Sequence, residues 1–378
     1  MAHRAVNIGL IGTGFMGDAH SYSYTAQPIY TDGELRANLV AVASRTMDRA
    51  KHFQQKYGYQ KAYDDWREML KDPDIEAVSI CTPNGLHYEQ AKEAIANGKH
   101  VYVDKPLCCT VEQAEELARL AEEKGVLGMT VFNSRFTVPM MKMKQLMEED
   151  YTGPLTEVRI CMLHAGLVTK ERKVSWRLDP ALTGNGVLFD LGSHMLDCLT
   201  NLVGPIDEIF CETETHHKVR DMVEGGEMRI ETDDAAYMIA RLASGAKAFL
   251  EVSKLSTGGD GTTRIEICGE KGAVRHFSER PELVEVFDNT EGTDPLGGGT
   301  SGWKYIDCYG KFLPPAGVFP ATRGGTGNLA GHVMSVMHFL QAIHGERKIE
   351  PDLWQGAYVQ KVMAAAYTSA EKGCWVKV

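Results

Sequence analysis

No run in this sequence approaches the ~20 consecutive apolar residues that a helix needs to cross a bilayer. The N-terminal stretch MAHRAVNIGLIG also lacks a long apolar core followed by a small-residue cleavage site, so the expected location is the cytoplasm. Basic charge is not in excess: 40 Lys and Arg stand against 51 Asp and Glu, a formal net charge of -11. That balance argues against nucleic acid or an anionic membrane as the partner and leaves small molecules. Nine cysteines are scattered at 81, 108, 109, 161, 198, 211, 268, 308 and 374, odd in number and never spaced C-x-x-C. Neither a disulfide framework nor a zinc ribbon is indicated, and reduced, mostly buried thiols are expected. Internal repeats and low-complexity tracts are absent as well.

What is present is a soluble globular composition, 43% hydrophobic and 24% charged, in 378 residues. That length exceeds the size at which one core stops growing, so two domains are expected, 1–130 and 131–378. In the first, the β-rich runs VNIGLIG, NLVAVAS, AVSICT and HVYVDK alternate with the amphipathic stretches MDRAKHFQQKYG, HYEQAKEAIANGK and TVEQAEELARLAEEKG. This is the α/β pattern of a parallel sheet with helices on its faces. After about residue 130, TEVRICMLHAG, DEIFCETET, DAAYMIARLA, AKAFLEVSKL, RIEICGE and LVEVFD follow one another without intervening helices. They predict an α+β domain with a large, mainly antiparallel open sheet, whose uncovered face implies a homodimer or homotetramer. Residues 291–331, rich in Gly and Pro and holding Trp303, Tyr305, Tyr309 and Phe319, read as a loop that folds over a ligand or makes a subunit contact.

Gly12-Thr13-Gly14-Phe15-Met16-Gly17 follows the first strand and opens a helix. In that setting the glycines serve a tight turn, close approach of backbone to a pyrophosphate, and close packing of helix on strand, which predicts a Rossmann dinucleotide-binding domain. The second strand ends at Ser44-Arg45 with no acidic residue in place to bind a ribose 2′-hydroxyl. NAD and NADP both fit, with a slight preference for the 2′-phosphate of NADP beside Arg45.

The stretch GNGVLFDLGSHMLD, 184–197, places Asp190 and His194 four apart in an apolar run. Four residues advance an α-helix by roughly 400°, so both side chains, and Asp197, share one face. On its own the stretch equally fits an ordinary capped helix. Three other stretches bear on it: CTPNGLH (81–87) after the third strand, VDKPL (103–107) after the fourth, and the glycine fingerprint. Together they resemble the Gfo/Idh/MocA family, that of glucose–fructose oxidoreductase and inositol dehydrogenase, over essentially the whole chain. GFMGDAH, FNSR (132–135) and SWR (175–177) are similar to stretches of the levoglucosan and glycoside dehydrogenases within it.

The resemblance implies roles for particular residues. The E-K-P motif of the family stands here as Asp104-Lys105-Pro106, its Glu shortened to Asp. Lys105 would polarise the reacting oxygen, His194 would accept the proton, and Asp190 would partner both. Thr82, Pro83, Asn84 and His87 match the stretch lining the nicotinamide half of the cofactor, with Asp104 near its ribose. Asn133, Arg135, Trp176 and Arg177 would lie near a sugar, and C3 of a glucopyranose-like ring is the position suggested.

The chemistry agrees with those roles. Oxidising a secondary alcohol takes a hydride acceptor, a base and a positive group for the developing oxyanion. A His with ordinary pKa near 6.5 suits the base, and a strand-end Lys brings the charge. Tyr305 and Trp303 are candidates to close over the substrate. Asp and His four apart also suit zinc, but His164, His216, His217 and His332 lack motif spacing, so no metal is expected. The expected activity is an NAD(P)-dependent dehydrogenase of a sugar, glycoside, anhydrosugar or inositol. The alternatives are a redox-cycling glycosidase or lyase working through a transient 3-keto glycoside, and a dinucleotide-binding sensor without enzymatic activity.

Overall fold

The structure is a computed structural model, and it describes residues 4–30, 35–174, 178–222, 225–259, 261–290, 299–309 and 328–378. Two compact units are present. In the first, β1 (Arg4–Ile11), β2 (Leu35–Ala43), β3 (Lys61–Tyr63), β4 (Ala77–Ile80), β5 (His100–Asp104) and β6 (Gly128–Val131) lie in the order β3-β2-β1-β4-β5-β6. Every neighbouring pair is parallel. The strand order reverses between β1 and β4, the switch point where doubly wound sheets bind ligands beyond the strands' carboxyl ends. The crossovers carry α1 (Phe15–Ala26), α2 (Met47–Tyr57), α3 (Trp66–Leu70), α4 (His87–Ala96) and α5 (Val111–Lys124). α5 shows why these stretches are helical: the Thr110 hydroxyl accepts the Gln113 N–H at 3.3 Å, and Ala114, Leu117, Ala118 and Ala121 bury one stripe. Gly125, at φ +65°, ends it in the left-handed conformation.

The second unit contains α6 (Val138–Glu148), β7 (Leu155–Leu163), α8 (Ser193–Val203) and β8 (Ile206–Glu214), and the short α7 (Pro180–Thr183) precedes α8 in sequence. A small antiparallel hairpin, β9 (Val219–Asp221) and β10 (Glu227–Arg229), leads to β11 (Ala235–Leu242), β12 (Lys247–Ser253), β13 (Thr262–Gly269), β14 (Gly272–Phe277), β15 (Leu283–Asp288) and β16 (Trp303–Asp307). Two helices, α9 (Asn328–Ile343) and α10 (Leu353–Lys372), and the terminal β17 (Val376–Lys377) complete the chain. Nine strands form one sheet, β16-β15-β14-β13-β7-β12-β11-β8-β17. All its pairs are antiparallel except β7 beside β12, so the mainly antiparallel expectation holds. Alternation explains the burial: Ala248, Leu250 and Val252 of β12 face inward while Phe249 is exposed.

Two expectations are corrected. The division is not contiguous at 130/131, because residues 181–184 and 328–360 belong with the first unit. A parallel sheet must be covered on both faces, and Val336, Phe339 and Leu340 of α9 complete that cover, fully buried with Val6, Ile8, Tyr24 and Tyr102. Within the expected loop 291–331, residues Trp303–Asp307 form the edge strand β16, paired to β15. Trp303 lies against Phe287 and under the Arg275 guanidinium, so this part of the segment is tied down as sheet. Phe319 falls outside the described residues.

Candidate active site

The glycine fingerprint folds as its spacing predicts. Gly12 has φ +107°, and a Cβ there would lie 2.7 Å from the Cys81 carbonyl oxygen; a Cβ on Gly17 would lie 2.4 Å from the Gly12 carbonyl oxygen. Those two positions are tight against backbone. Gly14 differs, since a Cβ there would meet nothing within 4 Å. The open space lies at the N-terminus of α1, where Gly14 is the N-cap and no side chain caps the helix. Backbone N–H groups and the positive helix end thus face a cradle suited to a pyrophosphate. Met16 packs against the cluster of Leu10, Val42, Phe53, Tyr59 and Cys81, while Phe15 is exposed. The residues present fit a dinucleotide.

The other strand ends of this unit carry the remaining predicted residues. Ser44 follows β2, its hydroxyl 2.7 Å from that of Thr13, and Arg45 is exposed beside it. After β4, the Thr82 hydroxyl donates to Gln90 Oε1 at 2.7 Å, Pro83 caps a short 3-10 turn, and the Asn84 amide donates to the Thr183 carbonyl at 2.8 Å. His87, expected along the nicotinamide half of the cofactor, opens α4. It is fully buried, with Nδ1 3.0 Å from the Pro106 carbonyl oxygen and Nε2 2.8 Å from that of Thr82. The ring thus sits between the loops after β4 and β5, donating to one of the two carbonyls in its neutral form, and burial pushes the imidazole below its ordinary pKa.

Asp104 ends β5 almost fully buried, accepting the Lys105 N–H at 2.8 Å, and the Lys105–Pro106 peptide is cis. Behind Lys105 lies a polar cluster that sequence reasoning missed. His20 of α1 is buried with Nδ1 2.8 Å from the Ser79 hydroxyl, and its ring centroid lies 5.1 Å from Tyr102 and 5.7 Å from His332. Burial, and then the Lys105 charge, push His332 down to about 4. The sequence offers His332 only as a metal-ligand candidate, because α9 meets α1 through the fold alone.

In the second unit, Asp190 lies on a π-helical turn, Leu188–Gly192, running into α8, which corrects the plain α-helix expected there. A π turn is wider than an α turn and is frequent at functional sites. Asp233 supplies the local reason. Its buried carboxylate accepts the N–H groups of Gly186 at 3.1 Å and Leu188 at 2.9 Å, and the Tyr367 hydroxyl at 2.6 Å. Gly186 must be glycine, since a Cβ would lie 2.2 Å from the Asp233 carbonyl oxygen. Burial raises the Asp233 carboxyl above the usual carboxylate range, and the three donors pull it part of the way back. Asp190 and His194 are half-buried, whereas Asp197, expected on their face, is fully buried.

Asp190 has a partner that no motif announced: Lys254, just past β12, donates from Nζ to Asp190 Oδ2 at 2.7 Å. Asp233 lies 45 residues from Leu188, 47 from Gly186 and 134 from Tyr367, and Lys254 lies 64 from Asp190, so no local spacing marks either. Among the expected substrate residues, Asn133 is buried and Arg135 half-buried on the 3-10 turn after β6. Tyr305 is exposed on β16 with the Arg280 guanidinium over its ring, a strand residue where a closing loop was expected. Trp176 and Arg177 lie outside the described residues. Among the described residues no cluster of His, Cys, Asp and Glu is arranged to hold a metal ion, and no helix is long and apolar enough to cross a membrane.

Comparison with known proteins gives the context of these two sites. Residues 6–132 match the profile of the oxidoreductase family with an NAD-binding Rossmann fold, and residues 140–275 that of the GFO/IDH/MocA C-terminal domain. Levoglucosan dehydrogenase of Pseudarthrobacter phenanthrenivorans is 28% identical, over 99% of this chain and 98% of that one. D-glucoside 3-dehydrogenase of Escherichia coli is 26% identical, over 100% and 99%. A solved structure of levoglucosan dehydrogenase in complex with NADH and levoglucosan superposes with a TM-score of 0.93 at 28% identity, covering 99% of this chain and 100% of that one.

Proposed function

The chain belongs to the Gfo/Idh/MocA oxidoreductases, a family that includes sugar dehydrogenases, and on that premise we propose that it reversibly oxidises one secondary ring hydroxyl to a ketone. The substrate is a sugar, glycoside, anhydrosugar or inositol, and the position is C3 of a glucopyranose-like ring. The observation that carries the reading is the presence of Lys105, Asp190 and His194 in a chain 28% identical to levoglucosan dehydrogenase over 99% of its length.

Gly12, Gly14, Phe15, Met16 and Gly17 would hold the pyrophosphate, and Thr82, Pro83, Asn84, Asp104 and Lys105 would frame the nicotinamide half. When bound, the nicotinamide supplies the hydride acceptor. His194 takes the hydroxyl proton, Lys105 stabilises the charge that develops on the oxygen, and Asp190 orients the imidazole and a substrate hydroxyl. Arg45, at a strand end without a facing acid, favours the 2′-phosphate of NADP, and NAD is tested beside it. The outer face of the second unit's sheet leaves Tyr237 and Phe249 42% and 39% exposed, which suits a homodimer or homotetramer.

The test is an assay at 340 nm with each nucleotide against glucose, levoglucosan, myo- and scyllo-inositol and an aryl glucoside, for the native protein, Lys105→Ala and His194→Ala. Turnover of one polyol class that falls at least about 1000-fold in both variants supports the reading. Aglycone release without net cofactor reduction replaces it with the redox-cycling glycosidase, and tight nucleotide binding without turnover replaces it with the sensor.

A further inference from the structure

We propose that Lys254 is a positioning residue for the reaction: it fixes the Asp190 carboxylate in one orientation and balances its charge before substrate arrives. The inference rests on the reading of Asp190 and His194 given above and adds a residue to it. The ion pair spans 2.7 Å, with the Lys254 side chain 18% and the Asp190 side chain 36% exposed. Exposed pairs contribute little because two mobile chains must be ordered and water screens them. Here the backbone of each residue is already held.

Lys254 is held through its backbone. Its N–H donates to the Asp234 carbonyl at 2.9 Å, and its own carbonyl accepts the Leu167 N–H at 2.9 Å. The Leu167 carbonyl in turn accepts from the fully buried Arg220 guanidinium at 2.7 Å. Asp190 is held through the π turn, its N–H donating to the Gly186 carbonyl at 3.1 Å and its carbonyl accepting the Ser193 hydroxyl at 3.0 Å. The start of that turn hangs on the Asp233 carboxylate. Adjacent residues, Asp233 and Asp234, thus anchor the backbone at the two ends of the ion pair. A charge pair made by two pre-placed groups costs little further ordering, and a carboxylate so placed meets the substrate without reorganisation.

A neutral Lys254 side chain would remove the ammonium that faces the Asp190 carboxylate at 2.7 Å. The expected loss is therefore in the chemical step and not in binding.

The experiment compares Lys254→Met, Lys254→Arg, Asp190→Asn and the double variant Lys254→Met/Asp190→Asn in the full chain. It uses levoglucosan and the preferred nucleotide for kinetics, with crystal structures of the two Lys254 variants. Lys254→Met should lower kcat about 10- to 30-fold while KM stays within about threefold, with nucleotide Kd and Tm unchanged. Lys254→Arg should restore kcat to within about threefold, and the double variant should be no slower than Asp190→Asn alone. In the crystal the Asp190 carboxylate should leave its orientation in Lys254→Met and keep it in Lys254→Arg, a readout independent of turnover. An unchanged carboxylate, an unchanged kcat, a rise in KM as the main effect, or additive losses would each overturn the proposal. Full activity in Asp190→Asn and His194→Ala would instead sink the reading of the site on which it rests.

Discussion

The two units hold their functional groups in different ways. In the first, every candidate residue from Gly12 to Lys105 sits at the carboxyl end of a parallel strand or just beyond it, where chain direction alone puts it. In the second, Asp190 sits on a turn whose start hangs on the Asp233 carboxylate, itself bonded to Tyr367, and its side chain meets Lys254, all from distant parts of the chain. Strand-end sites tolerate much variation in the rest of the domain, because parallel strands and their crossovers place them generically. A clamped turn depends on each particular long-range bond. The first kind of site is legible as spacing; in the second the residues of the turn are, and the partners that hold it are not.

The sharpest way to break the contrast is inside the fingerprint, between two glycines that look alike in sequence. Gly12→Ala puts a Cβ 2.7 Å from a backbone oxygen at φ +107°. It should cost about 3 kcal/mol or more of stability and lower nucleotide affinity at least about 100-fold. Gly14→Ala meets nothing of the protein within 4 Å. Its unfolding midpoint should match the native protein, and only nucleotide affinity, read by fluorescence titration, should fall by about tenfold. Equal loss of stability in the two would remove the distinction between a glycine kept for the fold and one kept for the ligand.

Next in size is the clamp of the second unit. Asp233→Ala strands three buried donors, Gly186 N–H, Leu188 N–H and the Tyr367 hydroxyl. At about 1 kcal/mol for each, denaturant unfolding should show a loss of about 3 kcal/mol, and kcat should fall with it. Tyr367→Phe removes one donor together with its need, and should cost about 1 kcal/mol or less. If Asp233→Ala is as mild as Tyr367→Phe, the π turn does not need its clamp.

The smallest effect at neutral pH, and a growing one in acid, belongs to His332 in the first unit. Its folded pKa of about 4 lies below its unfolded value of 6.5, so below that value the unfolded chain binds protons that the folded one refuses. Stability is complete above pH 6.5, falls as pH drops from there toward 4, and is lower by about 3 kcal/mol below it. His332→Gln should flatten that part of a Tm-against-pH curve and leave it unchanged at pH 8. His20, also pushed well below the usual range by burial, contributes in the same direction.

How much was legible follows from the reach of each interaction. The alternation of strands and helices, the cap at Thr110 and the glycine turn rest on contacts within a few residues, and all appear where the spacing puts them. The edge strand at Trp303 was hidden by the Gly and Pro residues around it, because pairing with β15 decides it. His87 matched a motif for cofactor contact, and its ring sits between the Thr82 and Pro106 carbonyls, a placement visible only once two loops converge. Residues 328–360 return to the first unit because the uncovered face of its sheet needs Val336, Phe339 and Leu340, a demand that periodicity does not address to any particular helix.

By itself the sequence determined the class of fold and the dinucleotide cradle, and it put forward Lys105, Asp190 and His194 as candidates, because those readings depend on short-range geometry and on residue chemistry. Tertiary structure alone decided that Asp190 stands on a π turn, that Lys254 balances its charge, and that His332 lies buried and neutral behind Lys105. Each of these joins groups many residues apart, and closing such distances follows from the packing of whole sheets and helices, which no local pattern encodes.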